Sequence, residues 1–144
     1  MNASLWHAPL ADFQRSVAAA KPAPAGVSTA SVSAALGLSL LIKVLRITGR
    51  RDDLLPLAEN LVEELRAVAD ADVDAVYAYI QTRNSIGLHE VPARALRAAR
   101  QAVDLCVQAA PHITGLIAAD VVAARALVQG SVSAIEACIA ANQA

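Results

Sequence analysis

Two aspartates stand where the surrounding sequence has little use for charge. On a helix spanning about residues 52–82, Leu61, Leu65, Val68, Ala69, Val76, Tyr79 and Ile80 fall within one arc at about 100° per residue. Asp72 lies in the middle of that arc, whereas Glu63, Asp70 and Asp74 point to the opposite, solvent side. On a later helix, Asp120 shares an inward face with Leu116, Ala124, Leu127, Ser131 and Cys138. A carboxylate on an apolar stripe is costly unless it is paired, hydrated or protonated. Two such groups on different helices form a general acid/base pair if their surroundings push their pKa values apart. The other reading is that each accepts hydrogen bonds from a neighbouring helix end or an arginine and is structural.

The second candidate is the stretch Lys21-Pro-Ala-Pro-Ala-Gly-Val-Ser28. Its prolines cannot sit inside a helix, Gly26 permits a bend, and Ser28 is a good N-cap for the apolar segment that follows. A proline-ordered loop running into a helix N-terminus offers free amides to an anion or polar ligand; a plain capped turn is the simpler alternative. The histidines His7, His89 and His112 are isolated and lack metal-ligand spacing, so no metal site is expected. Arg94, Arg97 and Arg100 share a helix face, solvated or available to an anionic tail. No P-loop, dinucleotide or nucleophile-elbow motif is present.

These groups need a scaffold, and the composition supplies one. Hydrophobic residues make up 56% of the 144, yet aromatics only 3%, so the apolar content is aliphatic and rich in the best helix former. The expectation is a single all-α domain over residues 1–144, a compact bundle of about five helices. They should span about Pro9–Ala20, Ser28–Thr48 and Asp52–Thr82, then one opened by Pro92 and a last one reaching about Ala141, with Asn84–Glu90 as a loop. The second is apolar nearly all round and should be the buried centre. Its apolar run from Val27 stops at Lys43, short of the roughly 20 residues of a membrane span. A net charge of −1 gives no footprint for nucleic acid. Cys106 and Cys138 lack CxxC spacing and fit reduced thiols, and the N-terminus shows no signal-peptide pattern, so a cytoplasmic location is expected. So much aliphatic surface in so small a domain also predicts a homodimer or larger symmetric assembly.

Four segments in order resemble the cyclodeaminase/methenyltetrahydrofolate cyclohydrolase family. Pro22-Ala-Pro-Ala-Gly-Val-Ser28, leading through Ala35-Leu-Gly37 to Ile47-Thr48, is similar to that family's Pro-Thr-Pro-Gly-Gly-Gly-Ser loop and central helix. Asp70-Ala-Asp72-Val-Asp-Ala75 resembles its Asp-x-Asp-x-x-Ala, Glu90-Val-Pro92 its Glu-Val-Pro, and Ala119-Asp120 its Ser-Asp segment. Departures are Ala25 and Val27 for two loop glycines, Ala119 for a serine, and Cys138 for a late asparagine. The stretch between Thr82 and His89 is also shorter by roughly a helix.

The resemblance implies an all-α fold, homodimerisation and a folate site lined by the loop and the aspartates. A tetrahydrofolate derivative would be the substrate, with no metal. Pro24, Gly26, Val27, Ser28 and Thr48 would bind it, Asp72 would act as base, and Asp120 would be the acid or a support. Either water adds to methenyltetrahydrofolate, or a formimino group loses ammonia and the ring closes. The alternative is a catalytically degenerate member that binds folate or serves as an oligomeric scaffold.

Overall fold

A computed structural model describes residues 2–144. Five helices follow one another: α1 (Leu10–Ala18), α2 (Gly26–Thr48), α3 (Leu55–Thr82), α4 (Ile86–Ala109) and α5 (Ala118–Gln143). Short 3₁₀ turns at Leu5–His7, Asp52–Leu54 and Ala110–His112 punctuate them, and there is no strand among the described residues. The all-α reading holds. Helices α2 to α5 form a ring in which α2 packs on α3 and α5, and α4 packs on the same two from the other side. That is the up-down-up-down bundle that short connections favour.

Alanine sets the spacing of this bundle. Ala34, Ala58, Ala69, Ala95, Ala99, Ala102, Ala109 and Ala124 are all sealed from solvent, with Leu38, Leu41, Leu45 and Leu65 filling the gaps between them. Gly37 lets α2 and α5 approach most closely: a Cβ there would lie 2.9 Å from Leu127 Cβ and 3.3 Å from the Ala124 carbonyl oxygen. Small residues at the crossings let the helices meet backbone to backbone, where large side chains would hold them apart.

Helix α2 is the most buried element, yet not around its whole circumference. Leu36, Lys43 and Ile47 form an exposed stripe, and Leu36 keeps 55% of its surface. Three neighbours enclose three sides, and α1, which buries none of its own residues, does not close the fourth. Helices α2 and α5 are both long and apolar enough to cross a membrane by length and composition alone; packing inside the bundle accounts for α2. At the far end of α3, Tyr79 and Ile80 are part-exposed although they continue the core stripe.

The start of α4 differs from expectation. Residues 86–90 are helical, the linker from α3 is only Arg83 to Ser85, and Pro92 lies a turn and a half inside the helix. Proline at 92 cannot donate to the Leu88 carbonyl. The side chain of Asn142, at the end of α5, donates to that oxygen instead at 2.8 Å. A residue 50 positions away thus replaces the missing backbone donor and lets the helix run through the proline.

Asn142→Ala should lower stability by about 1 kcal/mol, the ordinary net value of one hydrogen bond. Urea denaturation measures it. Pro92→Ala, which restores the backbone donor, should recover most of that loss in the double variant. Equal and additive losses would refute the exchange of donors.

Candidate functional site

The turn of α3 from Asp70 to Asp74 sends its carboxylates in two directions. Asp70 accepts hydrogen bonds from the Ser4 hydroxyl at 2.6 Å and the Leu5 amide at 2.8 Å. Asp74 accepts from the Asn2 amide and its side-chain nitrogen, at 3.0 and 2.7 Å. The face expected to meet only solvent therefore carries the N-terminal segment. Trp6 fastens it further: Nε1 donates to the Arg66 carbonyl, and the Arg66 guanidinium lies over the indole.

Asp72 points the other way, into the bundle, and only 4% of its surface remains exposed. Its Oδ2 accepts the Ser28 backbone N–H at 3.0 Å. Helix α2 starts at Gly26, two residues before the expected cap, and its flanking residue Ala25 has no side-chain acceptor. Ser28 instead reaches back, its hydroxyl oxygen accepting the Ala25 N–H at 2.9 Å. The orphan amide at Ser28 is satisfied from α3, so Asp72 serves as an N-cap supplied by another helix. Burial pushes the Asp72 carboxyl above its ordinary value, against the pull of Ser28's hydroxyl and amide. A carboxylate offers about four acceptor positions, and no second backbone donor reaches this one among the described residues. It keeps capacity for a proton or a ligand.

Cys138 completes the cluster from α5. A Cβ on Gly26 would come within 2.5 Å of its sulfur, so the absence of a side chain at 26 is what admits the thiol. Burial raises the Cys138 pKa, and the negative charge of Asp72 adds to the effect. The thiol and the carboxylate are thus neighbours. Cys138 follows the buried Ser131 and Ile135 at i+7 and i+3 on α5, the helical spacing that puts it on an inward face in the sequence.

On the other side of Gly26 opens a cleft of about 630 Å³ between the proline loop, α2 and α5. Val17, Pro24, Gly26, Thr29, Leu127 and Gly130 are among its walls, and no charged side chain lines it. The Thr29 hydroxyl is buried without a hydrogen-bond partner among the described residues. The cleft has the size and apolar character of a small-molecule site.

The remaining expected site residues do not gather here. Val27 turns its side chain into the core. Asp120 pairs with Lys43 at 2.6 Å in a part-exposed ion pair. Lys43 is 15 residues along α2 from Ser28, roughly 22 Å at the rise of an α-helix, so the two aspartates do not share a cavity. Thr48 ends α2, its hydroxyl donating to the Val44 carbonyl, about 30 Å from the Asp72 contact by the same rise. Two of the three arginines in the α4 row are in ion pairs, Arg94 with Glu64 of α3 and Arg100 with Glu136 of α5, and Arg97 is in none among the described residues. No group of three or more potential metal-binding side chains converges among the described residues.

Residues 9–86, more than half of the chain, match the family described as formiminotransferase-cyclodeaminase. Among solved structures, that of formiminotetrahydrofolate cyclodeaminase from Thermotoga maritima is similar with a TM-score of 0.82. The match covers 96% of this chain and 80% of that one at 22% identity, which establishes a common fold. No curated protein sequence matches.

Gly26→Ala should cost about 1–3 kcal/mol through the clash with Cys138. In a Cys138→Ala background the same change should be neutral or mildly stabilising, because alanine is the better helix former. Thermal denaturation of the four proteins gives the coupling. A Gly26→Ala protein as stable as wild type would show that the thiol does not occupy this position.

Proposed function

The chain belongs to the formiminotransferase-cyclodeaminase family, and on that premise we propose that it acts on the one-carbon group of a tetrahydrofolate. The observation that carries this reading is Asp72, buried with a raised pKa and bonded to the Ser28 amide at the N-terminus of α2, where the nearby Gly26 and Thr29 line an uncharged cleft. The flat pterin enters the cleft beside Pro24 and Gly26, and the carbon between N5 and N10 comes to rest at Asp72. For methenyltetrahydrofolate, water adds to that carbon while Asp72 takes its proton. The tetrahedral adduct then breaks one C–N bond, and the proton passes from Asp72 to the departing nitrogen. For formiminotetrahydrofolate with its imino nitrogen protonated, N10 attacks the carbon, Asp72 takes the N10 proton and passes it to the departing nitrogen, and ammonia leaves as the methenyl ring closes. A raised pKa suits both halves of this transfer, since the group must hold the proton briefly and return it. The amides at the start of α2 stabilise the negative charge that Asp72 carries before it takes the proton and after it returns it. Asp120, bound to Lys43 far along α2, takes no part.

Consumption of the methenyl chromophore would show the hydrolase; its appearance from formiminotetrahydrofolate, with ammonia release, would show the lyase. Asp72→Asn should lower either rate by at least about 100-fold, the scale of general acid–base catalysis, with the helical content unchanged. The wild-type rate should rise with pH through the raised Asp72 pKa, because the base works only when deprotonated. Absence of turnover and of any thermal shift with reduced folates would leave a degenerate scaffold of the same fold.

Alongside, we propose a homodimer in the cytoplasm. Leu36 on α2 and Val122 and Leu127 on α5 are exposed, and exposed aliphatic side chains of this size are what an interface between copies would cover. Both cysteines are free, as a reducing compartment favours. Light scattering at micromolar concentration should give the dimer mass, and Leu36→Glu should return it to monomer; a monomeric wild type refutes the assembly.

A further inference from the structure

The inner face of α3 does not stop at Asp72. Val76 and Tyr79 follow it at i+4 and i+7 on one stripe of the helix, and Arg83 is the residue just beyond the helix end. Helices α2 and α3 run antiparallel, with Arg46 bonded to Glu59 at one end and Ser28 to Asp72 at the other. This last stretch of α3 therefore extends past the start of α2. That explains why Tyr79 keeps 36% of its surface, while Leu65 and Val68 on the same stripe are sealed.

Arg83 ends the helix in the left-handed region, φ 59°, with its N–H bonded to the Tyr79 carbonyl at 2.8 Å. Its guanidinium lies over the Tyr79 ring, 5.6 Å from the centroid. Arg15, Arg46, Arg51, Arg66, Arg94 and Arg100 are paired with carboxylates, whereas Arg83, like Arg50, Arg97 and Arg125, forms no ion pair among the described residues; of these four, Arg83 is the one that lies over an aromatic ring. An aromatic face and an unneutralised planar cation thus stand together at the end of the stripe that carries Asp72. The helical rise puts Tyr79 about 10 Å and Arg83 about 16 Å from it. The cleft beyond Gly26 has no charge to offer an anion.

We propose that Tyr79 and Arg83 hold the distal end of the ligand, an aryl group against the tyrosine ring and carboxylates on the guanidinium. The ligand then lies in one line: its apolar bicyclic end in the cleft, its reacting carbon at Asp72, its aryl-carboxylate tail along the last turns of α3. A stacked guanidinium is pre-organised for bidentate carboxylate contact, which a lysine would not match. The inference rests on the folate reading for the end of the ligand that reaches Asp72; the tail site stands on its own chemistry.

Three probes separate the two ideas by calorimetric titration: 5-formyltetrahydrofolate, p-aminobenzoylglutamate, and a tetrahydropterin without a tail. Arg83→Asn keeps a residue that tolerates left-handed backbone, and Tyr79→Leu removes the ring; circular dichroism checks both folds. Arg83→Asn should weaken the two carboxylate-bearing probes at least tenfold, flatten their salt dependence, and leave the tetrahydropterin unchanged. Tyr79→Leu should weaken the same two. If both variants bind 5-formyltetrahydrofolate like wild type, the tail site is wrong while the folate reading stands. If only p-aminobenzoylglutamate binds, and through Arg83, the tail site stands and the folate reading fails. If wild type binds none of the three, both fall.

Discussion

The contact between the Ser28 amide and the Asp72 carboxylate organises this end of the molecule. A helix N-terminus leaves four amides without partners, and α2 begins after Ala25, which cannot cap it. A carboxylate from α3 supplies the acceptor, with charge of the sign that the helix dipole favours. That bond ties the start of α2 to α3, as Arg46–Glu59 does at the other end of the pair. It also holds Gly26 against Cys138 and sets the proline loop at the mouth of the cleft. The same carboxylate sits in a poorly solvated place and carries a raised pKa. Structure and chemistry therefore draw on one group, and any change at Asp72 has to be judged on both.

Small residues make the arrangement possible and also leave it unfinished. A core built on alanine brings the four helices close, and Gly37 and Gly26 mark where a single methyl would force them apart. Close packing of small side chains hides few of the large ones. Leu36, Val122 and Leu127 stay outside, and less of α5 than of α2 is covered. A second copy would supply the remaining apolar burial, which is the physical ground for the proposed dimer.

Helical periodicity made the bundle, the depth of α2 and the inward direction of Asp72 legible in the sequence. Each of these depends on which side of a helix a residue occupies. Periodicity says nothing of position along the bundle, and so it grouped Asp120 with Asp72 although Lys43 holds it some four turns of α2 away. Nor could it foresee partners supplied from a distance. Pro92 looked like a helix start because the donor that replaces its N–H belongs to Asn142. Asp70 and Asp74 looked solvated because the N-terminal segment that covers them has no periodic signal of its own. The stripe that Asp72 shares with Tyr79 was visible, but its exposure depended on where α2 begins.

The central claim is that Asp72 is a proton-holding carboxyl in contact with the ligand, and carbon-13 NMR of the aspartate side chains tests it most directly. Titration of wild type against Asp72→Asn assigns the signal. The Asp72 carboxyl should titrate above its ordinary range, and its signal should move when 5-formyltetrahydrofolate is added. A carboxyl that titrates within that range, or one that the bound folate leaves unmoved, would contradict the claim.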